Sequence, residues 1–176
     1  MIRIREMQKE DIKMVVDWLD GTDEEFLKQW GGERWYTYPV TLEQMEKQFE
    51  TRHDNTKYFI LLRDELPIGS AELDSISWET RECAVCRYLI APQYRGRGYG
   101  TEALNVLTGY AFQTLAMKRI RLSVFDFNTS AIRCYQKAGF TETGREISDN
   151  GWVAVKMERS NPYWEEKQQE ATTAGI

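Results

Sequence analysis

The sequence predicts a single mixed domain of the α/β or α+β class, a sheet with helices on its faces. Three observations point there. Segments that alternate with period two interleave with segments of helical spacing, instead of clustering by type. The strand-like runs at 57–63, 68–78 and 82–91 follow one another through short turns, as an antiparallel meander does. No linker, internal repeat or low-complexity tract divides the 176 residues, a length that supports one substantial core.

Each element has a local reason. Ile2 to Arg5 alternates apolar and polar and reads as a short edge strand. Between Lys9 and Leu19, the residues Ile12, Val15, Val16 and Leu19 fall at helical spacing. Residues 20–40 mix glycines, acids and aromatics and read as a loop with a broken helix. Thr41 caps a helix that ends near Arg52, with Gln44 three residues on completing a capping box. Lys57–Arg63 and Ile68–Trp78 are strands joined by the turn Asp64-Glu65-Leu66-Pro67. A third strand, Glu82–Ala91, is stopped by Pro92, which cannot extend a ladder. A helix from about Gly98 to Leu115 follows, then a strand, Arg119–Phe125, with Ile120, Leu122 and Val124 alternating. Asn128–Ala138 is a helix with Gly139 at its C-cap, and two strands close the fold at 140–147 and 151–158. The domain spans 1–160, and 161–176 is a polar, frayed tail.

Bulk composition excludes several classes. Hydrophobic residues are 41% and charged residues 29%, the balance of a soluble globular protein. No apolar run approaches the roughly 20 residues of a membrane span, and MIRIREMQKED offers no apolar signal segment, so neither membrane insertion nor export is expected. A net charge of −5 argues against general nucleic-acid binding. Three cysteines cannot all pair and suit a reducing cytoplasm. Cys83 and Cys86 have a zinc-like spacing, but no second ligand pair follows and His53 is the only histidine, so no metal is expected.

The most informative stretch is Arg95-Gly96-Arg97-Gly98-Tyr99-Gly100, a glycine-rich turn that opens into a helix. Glycines let the backbone approach a ligand closely, and the first free N–H groups of a helix point at an anion. The two arginines add charge-assisted hydrogen bonds. A Walker loop would end in Gly-Lys-Ser/Thr, whereas here Gly100-Thr101-Glu102 follows. A dinucleotide fingerprint would space its glycines differently and stand near the start of a βαβ unit. The loop therefore reads as a phosphate cradle of another kind.

Arg95, Gly98 and Gly100 match the loop (Gln/Arg)-x-x-Gly-x-(Gly/Ala), and Pro92-Gln93-Tyr94-Arg95-Gly96 matches its lead-in. About 30 residues on, Asn128, Ala131, Tyr135, Lys137, Gly139 and Phe140 match a second pattern. On these residues the chain resembles the GNAT (GCN5-related N-acetyltransferase) superfamily, and within it the ribosomal-protein alanine and spermidine acetyltransferases. The strong match covers residues 82–146, and the element order fits across 1–158.

The resemblance implies an acyl-CoA N-acyltransferase fold: a mixed, mostly antiparallel sheet of six or seven strands flanked by about four helices. It implies acetyl-CoA as cosubstrate, a primary amine as acceptor (polyamine, aminoglycoside or protein N-terminus), and a homodimer through the C-terminal strands. Donor-binding residues carried over are Leu89, Ile90, Arg95, Gly96, Arg97, Gly98, Tyr99, Gly100, Thr101, Asn128 and Tyr135. Tyr135 is the candidate acid for the leaving thiolate, since a phenol with a pKa near 10 is protonated at neutral pH. Because the middle of the strand before the loop carries no acid, Glu72 and then Glu82 are the candidates for general base, ahead of Asp74, which shares a strand face with Glu72. The resemblance also allows deprotonation through ordered water with no side-chain base. The expected acceptor site combines Asp20, Asp23, Glu24 and Glu25 with Trp30, Trp35, Tyr36 and Tyr38, acids and aromatic faces that suit a cationic amine. The alternative from another class is a CoA-binding module without catalysis.

Overall fold

The computed structural model describes residues 1–164, so most of the expected tail, from 165 on, lies outside the described residues. The strands are β1 (Ile2–Glu6), β2 (Lys57–Arg63), β3 (Leu66–Ser77), β4 (Glu82–Ile90), β5 (Arg119–Phe125), β6 (Thr141–Ile147) and β7 (Val153–Ser160). The helices are α1 (Ile12–Trp18), α2 (Glu24–Gln29), α3 (Leu42–Glu50), α4 (Tyr99–Gln113) and α5 (Thr129–Lys137). The seven strands form one sheet in the order β1-β2-β3-β4-β5-β7-β6. All pairs are antiparallel except β4 with β5.

Strict alternation along β2 sets up two cores, one on each face of the sheet. Phe59 and Leu61 join Leu104, Leu107, Ala111 and Phe112 of α4, along with Ile120 and Leu122. Tyr58, Ile60 and Leu62 face the opposite way and pack with Ile12, Val15 and Trp18 of α1, Leu27 of α2 and Met45 of α3. A one-residue slip of this strand would exchange its entire side-chain set between the faces, so its register is strongly specified.

Two local expectations differ from the structure. Thr41 does cap α3, its hydroxyl accepting from Gln44 N at 3.3 Å. Gln44 does not complete a capping box: its side chain accepts from Thr37 N (2.8 Å) and donates to Pro39 O (3.1 Å), bracing the preceding loop. The β2–β3 turn is tighter than expected, because Asp64 (φ 47°) and Glu65 (φ 68°) alone reverse the chain. Both central residues of such a two-residue turn sit at positive φ. Pro67 then lies within β3, opposite Leu62 where the register shifts, and a bulge tolerates the missing donor.

The feature that positions the site is a wedge. β4 and β5 pair only at Glu82↔Arg119, Cys83↔Ile120 and Ala84↔Arg121. From Val85 onward, β4 has no strand partner on its β5 side among the described residues. β4 also carries a register shift against β3 between Ser70↔Leu89 and Glu72↔Cys86, with Arg87 at φ 43°. Gly69 permits the close approach of β3 at this point, since a Cβ there would collide with the carbonyl oxygen of Leu89. Gly69→Ala is expected to cost about 3 kcal/mol, because the obstacle is backbone that must move. For a chain of this size that lowers Tm by roughly 10 °C, checked by a thermal melt.

Candidate active site

The wedge opens into a cleft of about 900 Å³. Val85 to Ile90 of β4 and Ser123 to Phe125 of β5 form its sides, and Tyr94, Arg95, Gly96, Gly98, Gly100, Thr101 and residues of α5 supply much of the remainder. Strand separation exposes backbone, and the sequence then places a glycine loop at the end of one arm.

That loop is built as an anion cradle. Gly96 (φ 74°) and Gly98 (φ 80°) occupy left-handed backbone, where residues with a Cβ are strained. Space is not the reason for glycine there, because a Cβ at either position would meet nothing within 4 Å. Arg95 N donates to Pro92 O, and Thr101 N and Glu102 N both donate to Gly98 O. Between them, the N–H groups of Gly96, Arg97, Gly98, Tyr99 and Gly100 find no acceptor in the protein among the described residues. Five successive free amides at the start of a 15-residue helix fit a pyrophosphate. The loop is tied down from both sides: Tyr88 Oη donates to Gly100 O (2.6 Å), and Arg95 Nε donates to Ile90 O (2.8 Å).

Of the donor-binding residues expected from the sequence, Leu89, Ile90, Arg95, Gly96, Gly98, Gly100, Thr101, Asn128 and Tyr135 line the cleft. Arg97 and Tyr99 do not; the ring of Tyr99 lies under the Arg63 guanidinium at 4.2 Å, and Arg97 is exposed. Their backbone N–H groups still belong to the cradle. Asn128 caps α5, its Oδ1 accepting from Ala131 N at 3.3 Å, which leaves its amide N–H groups free for a ligand.

Tyr135 projects from α5 against the core, its ring edge-on to Phe140 at 6.3 Å. Its hydroxyl makes no hydrogen bond to the protein among the described residues. Burial raises its pKa above the ordinary value, so it remains a proton donor at neutral pH. Cys86 and Cys134 line the same cleft, and burial pushes Cys86 up to about 11 and Cys134 upward too. Both are protonated thiols near neutrality and poor nucleophiles.

The two acids considered as general base are placed elsewhere. Glu72 is 5% exposed and does not line the cleft. Both its oxygens engage Arg87: Oε1 accepts from Nε at 2.6 Å, and Oε2 from Nη2. Burial pushes the Glu72 carboxyl up, and the guanidinium it touches opposes that shift. A carboxylate held at two points is poorly placed to take a proton from a substrate. Glu82 sits where β4 and β5 still pair, 3.1 Å from Arg119 and 3.7 Å from Arg121, also off the cleft. The pair Glu72–Arg87 is structural, and Glu72→Gln would leave a buried guanidinium unmatched. The expected loss is about 3–5 kcal/mol, read as a Tm drop on the order of 10 °C.

The acceptor side also departs from expectation. Asp20, Asp23, Glu24 and Glu25 are exposed and do not line the cleft. Asp23 instead caps α2, accepting from Phe26 N at 2.7 Å, and Glu24 faces Lys28. Trp30 and Tyr36 stack at 6.1 Å and are buried; Trp30 lines the cleft, while Trp35, Tyr36 and Tyr38 do not. The residues the sequence reading missed on this side are Lys28, Glu33, Arg34 and Arg87, all on the cleft wall. Nothing in their spacing marks them: Lys28 stands on α2, Glu33 and Arg34 on the irregular segment after it, and Arg87 on β4 itself.

Comparisons with known proteins give the family and the fold. Residues 2–141 match the family model described as an acetyltransferase (GNAT) domain. The spermidine N(1)-acetyltransferase of Vibrio cholerae is 28% identical over 119 residues, covering 65% of this chain and 68% of that protein. The aminoglycoside N(6')-acetyltransferase type 1 of Klebsiella pneumoniae is 27% identical over 178 residues, covering 93% and 85%. Among solved structures, spermidine N-acetyltransferase from Vibrio cholerae in complex with CoA and spermine matches the fold with a TM-score of 0.79 at 18% identity, covering 93% of this chain and 97% of that one. The aminoglycoside acetyltransferase AAC(6')-Ib, in complex with paromomycin and acetyl-CoA, gives 0.74 at 25% identity, covering 93% and 96%.

Proposed function

The chain belongs to the GNAT acetyltransferase family, and we propose that its β4–β5 cleft is where an acetyl group passes from acetyl-CoA to a primary amine. The protein is an acetyl-CoA-dependent N-acetyltransferase. The observation that carries the site is the run of five free amides, Gly96 to Gly100, at the mouth of a wedge lined by unpaired strand backbone.

The residues divide the work. Amides of Gly96–Gly100 hold the pyrophosphate. The unpartnered edge of β4 from Val85 to Ile90 receives the extended arm, and Asn128 adds its side-chain amide. Attack of the amine nitrogen on the thioester carbon forms a C–N bond and breaks the C–S bond. The amine gives up one proton, and the sulfur leaves with another. Tyr135 supplies the latter and is reprotonated from solvent in the cleft, because the residue lines the cleft and its hydroxyl is protonated and without a partner among the described residues. The amine's proton passes to solvent in the cleft, where Glu33 is the only lining carboxylate among the described residues.

Three free cysteines support a cytoplasmic location; among the described residues no helix is long and apolar enough to cross a membrane. A homodimer would form along β6, the sheet edge whose seven residues are all exposed; light scattering tests that. The acetyl-transfer reading is tested by thiol release from acetyl-CoA with spermidine, a kanamycin-type aminoglycoside, simple amino compounds, and peptides with alanine or serine N-termini. Release matched by acetylated amine supports it. Acetyl-CoA binding with no release for any amine would favour a CoA-binding module instead.

A further inference from the structure

Charges on the cleft separate by wall. Arg95, Arg133 and Lys137 stand on the glycine loop and α5, beside the cradle. The wall formed by α2 and the residues after it brings Lys28, Trp30, Glu33 and Arg34. The partners of these groups are few. Among the described residues Lys28 pairs only with the exposed Glu24, at 3.7 Å, and such a pair holds little. Arg34 has no carboxylate within 4.0 Å among the described residues; its guanidinium lies 5.3 Å from the centre of the Trp35 ring. Arg87, at the bulge of β4, lies 5.8 Å from that same ring, which ties Arg34 to the splayed part of the strand. Trp30 is 8% exposed; its indole Nε1 is buried, with no acceptor among the described residues, so this ring lines the cleft without presenting an open donor to it.

The wall therefore offers the donors and positive charge of Lys28 and Arg34, with Glu33 its single carboxylate among the described residues. A polyamine, which carries only cations, meets like charge there. We infer that the acceptor is an amine that also bears an anionic group, a carboxylate or a phosphate, seated against Lys28 and Arg34. This rests on the acetyl-transfer reading above and names its substrate class. Arg34 is the specificity-determining residue: its planar fork matches either anion at two points.

The test is steady-state thiol release with matched amines: glucosamine 6-phosphate against glucosamine, alanine against alaninamide, and spermidine. An anionic member should exceed its neutral partner in kcat/KM by roughly tenfold, and the two pairs tell phosphate from carboxylate. Arg34→Glu should erase that preference, Arg34→Gln should reduce it, and both should keep wild-type acetyl-CoA affinity by calorimetry. Equal or better turnover of the neutral partners and spermidine overturns the inference while leaving acetyl transfer intact. Weakened acetyl-CoA binding in Arg34→Glu also overturns it, by assigning the residue to the donor. Absence of thiol release with every amine sinks the acetyl-transfer reading, and the inference with it.

Discussion

Gly98→Asp abolishes acetyl-CoA binding and leaves the fold standing. Gly98 has φ 80° and precedes the first residue of α4. Aspartate is among the few residues that tolerate left-handed backbone, and open space surrounds the position, so the folding cost is about 1 kcal/mol. The effect on binding is far larger. A carboxylate enters a cradle whose five free amides are arranged for an anion. It can accept those N–H groups itself and it repels the pyrophosphate. Calorimetry should show Kd rising at least about 100-fold, roughly 3 kcal/mol, with Tm lowered by only a few degrees. Gly98→Ala separates strain from charge: it carries the backbone cost without the carboxylate and should retain most of the affinity. An aspartate variant that binds acetyl-CoA like the wild type would remove the loop from the donor site.

Tyr135→Phe lowers kcat by about 10²–10³ while acetyl-CoA affinity stays within about twofold, the range for loss of a general acid. The ring still packs on Phe140, so the substitution removes the proton and little else. The pH dependence follows from the direction of the shift. Burial raises the Tyr135 pKa, so the acid form is complete below the ordinary phenol value near 10 and is lost only above it. Wild-type kcat/KM should climb with pH as the amine deprotonates, with no downturn before about pH 10. An unchanged kcat in the variant would take the acid role away from Tyr135.

The sequence made legible those features that depend on local pattern. β5 falls where the alternation of Ile120, Leu122 and Val124 places it, and β2 where a short apolar run, buried on both faces, marks a strand. The cradle was legible because positive φ and free amides select glycine at 96 and 98. Positions fixed by tertiary pairing were hidden. Glu72 looked like a free acid on a strand, and only the β3–β4 register sets it against Arg87. Glu82 was equally ambiguous until β5 brought Arg119 and Arg121 beside it. The acidic run from Asp20 to Glu25 suggested a cation site, yet helix capping and an i,i+4 pair turn it away from the cleft and leave Lys28 and Arg34 on the wall. Gln44 stood at the capping-box position and was drawn off by the loop it braces.

The most direct test of the account is a crystal structure with acetyl-CoA bound. The account predicts pyrophosphate oxygens within hydrogen-bond distance of the Gly96–Gly100 amides. It also predicts the pantetheine arm between β4 and β5, and the thioester sulfur facing the Tyr135 hydroxyl. Acetyl-CoA bound outside the β4–β5 wedge, or with its sulfur turned away from Tyr135, would contradict it.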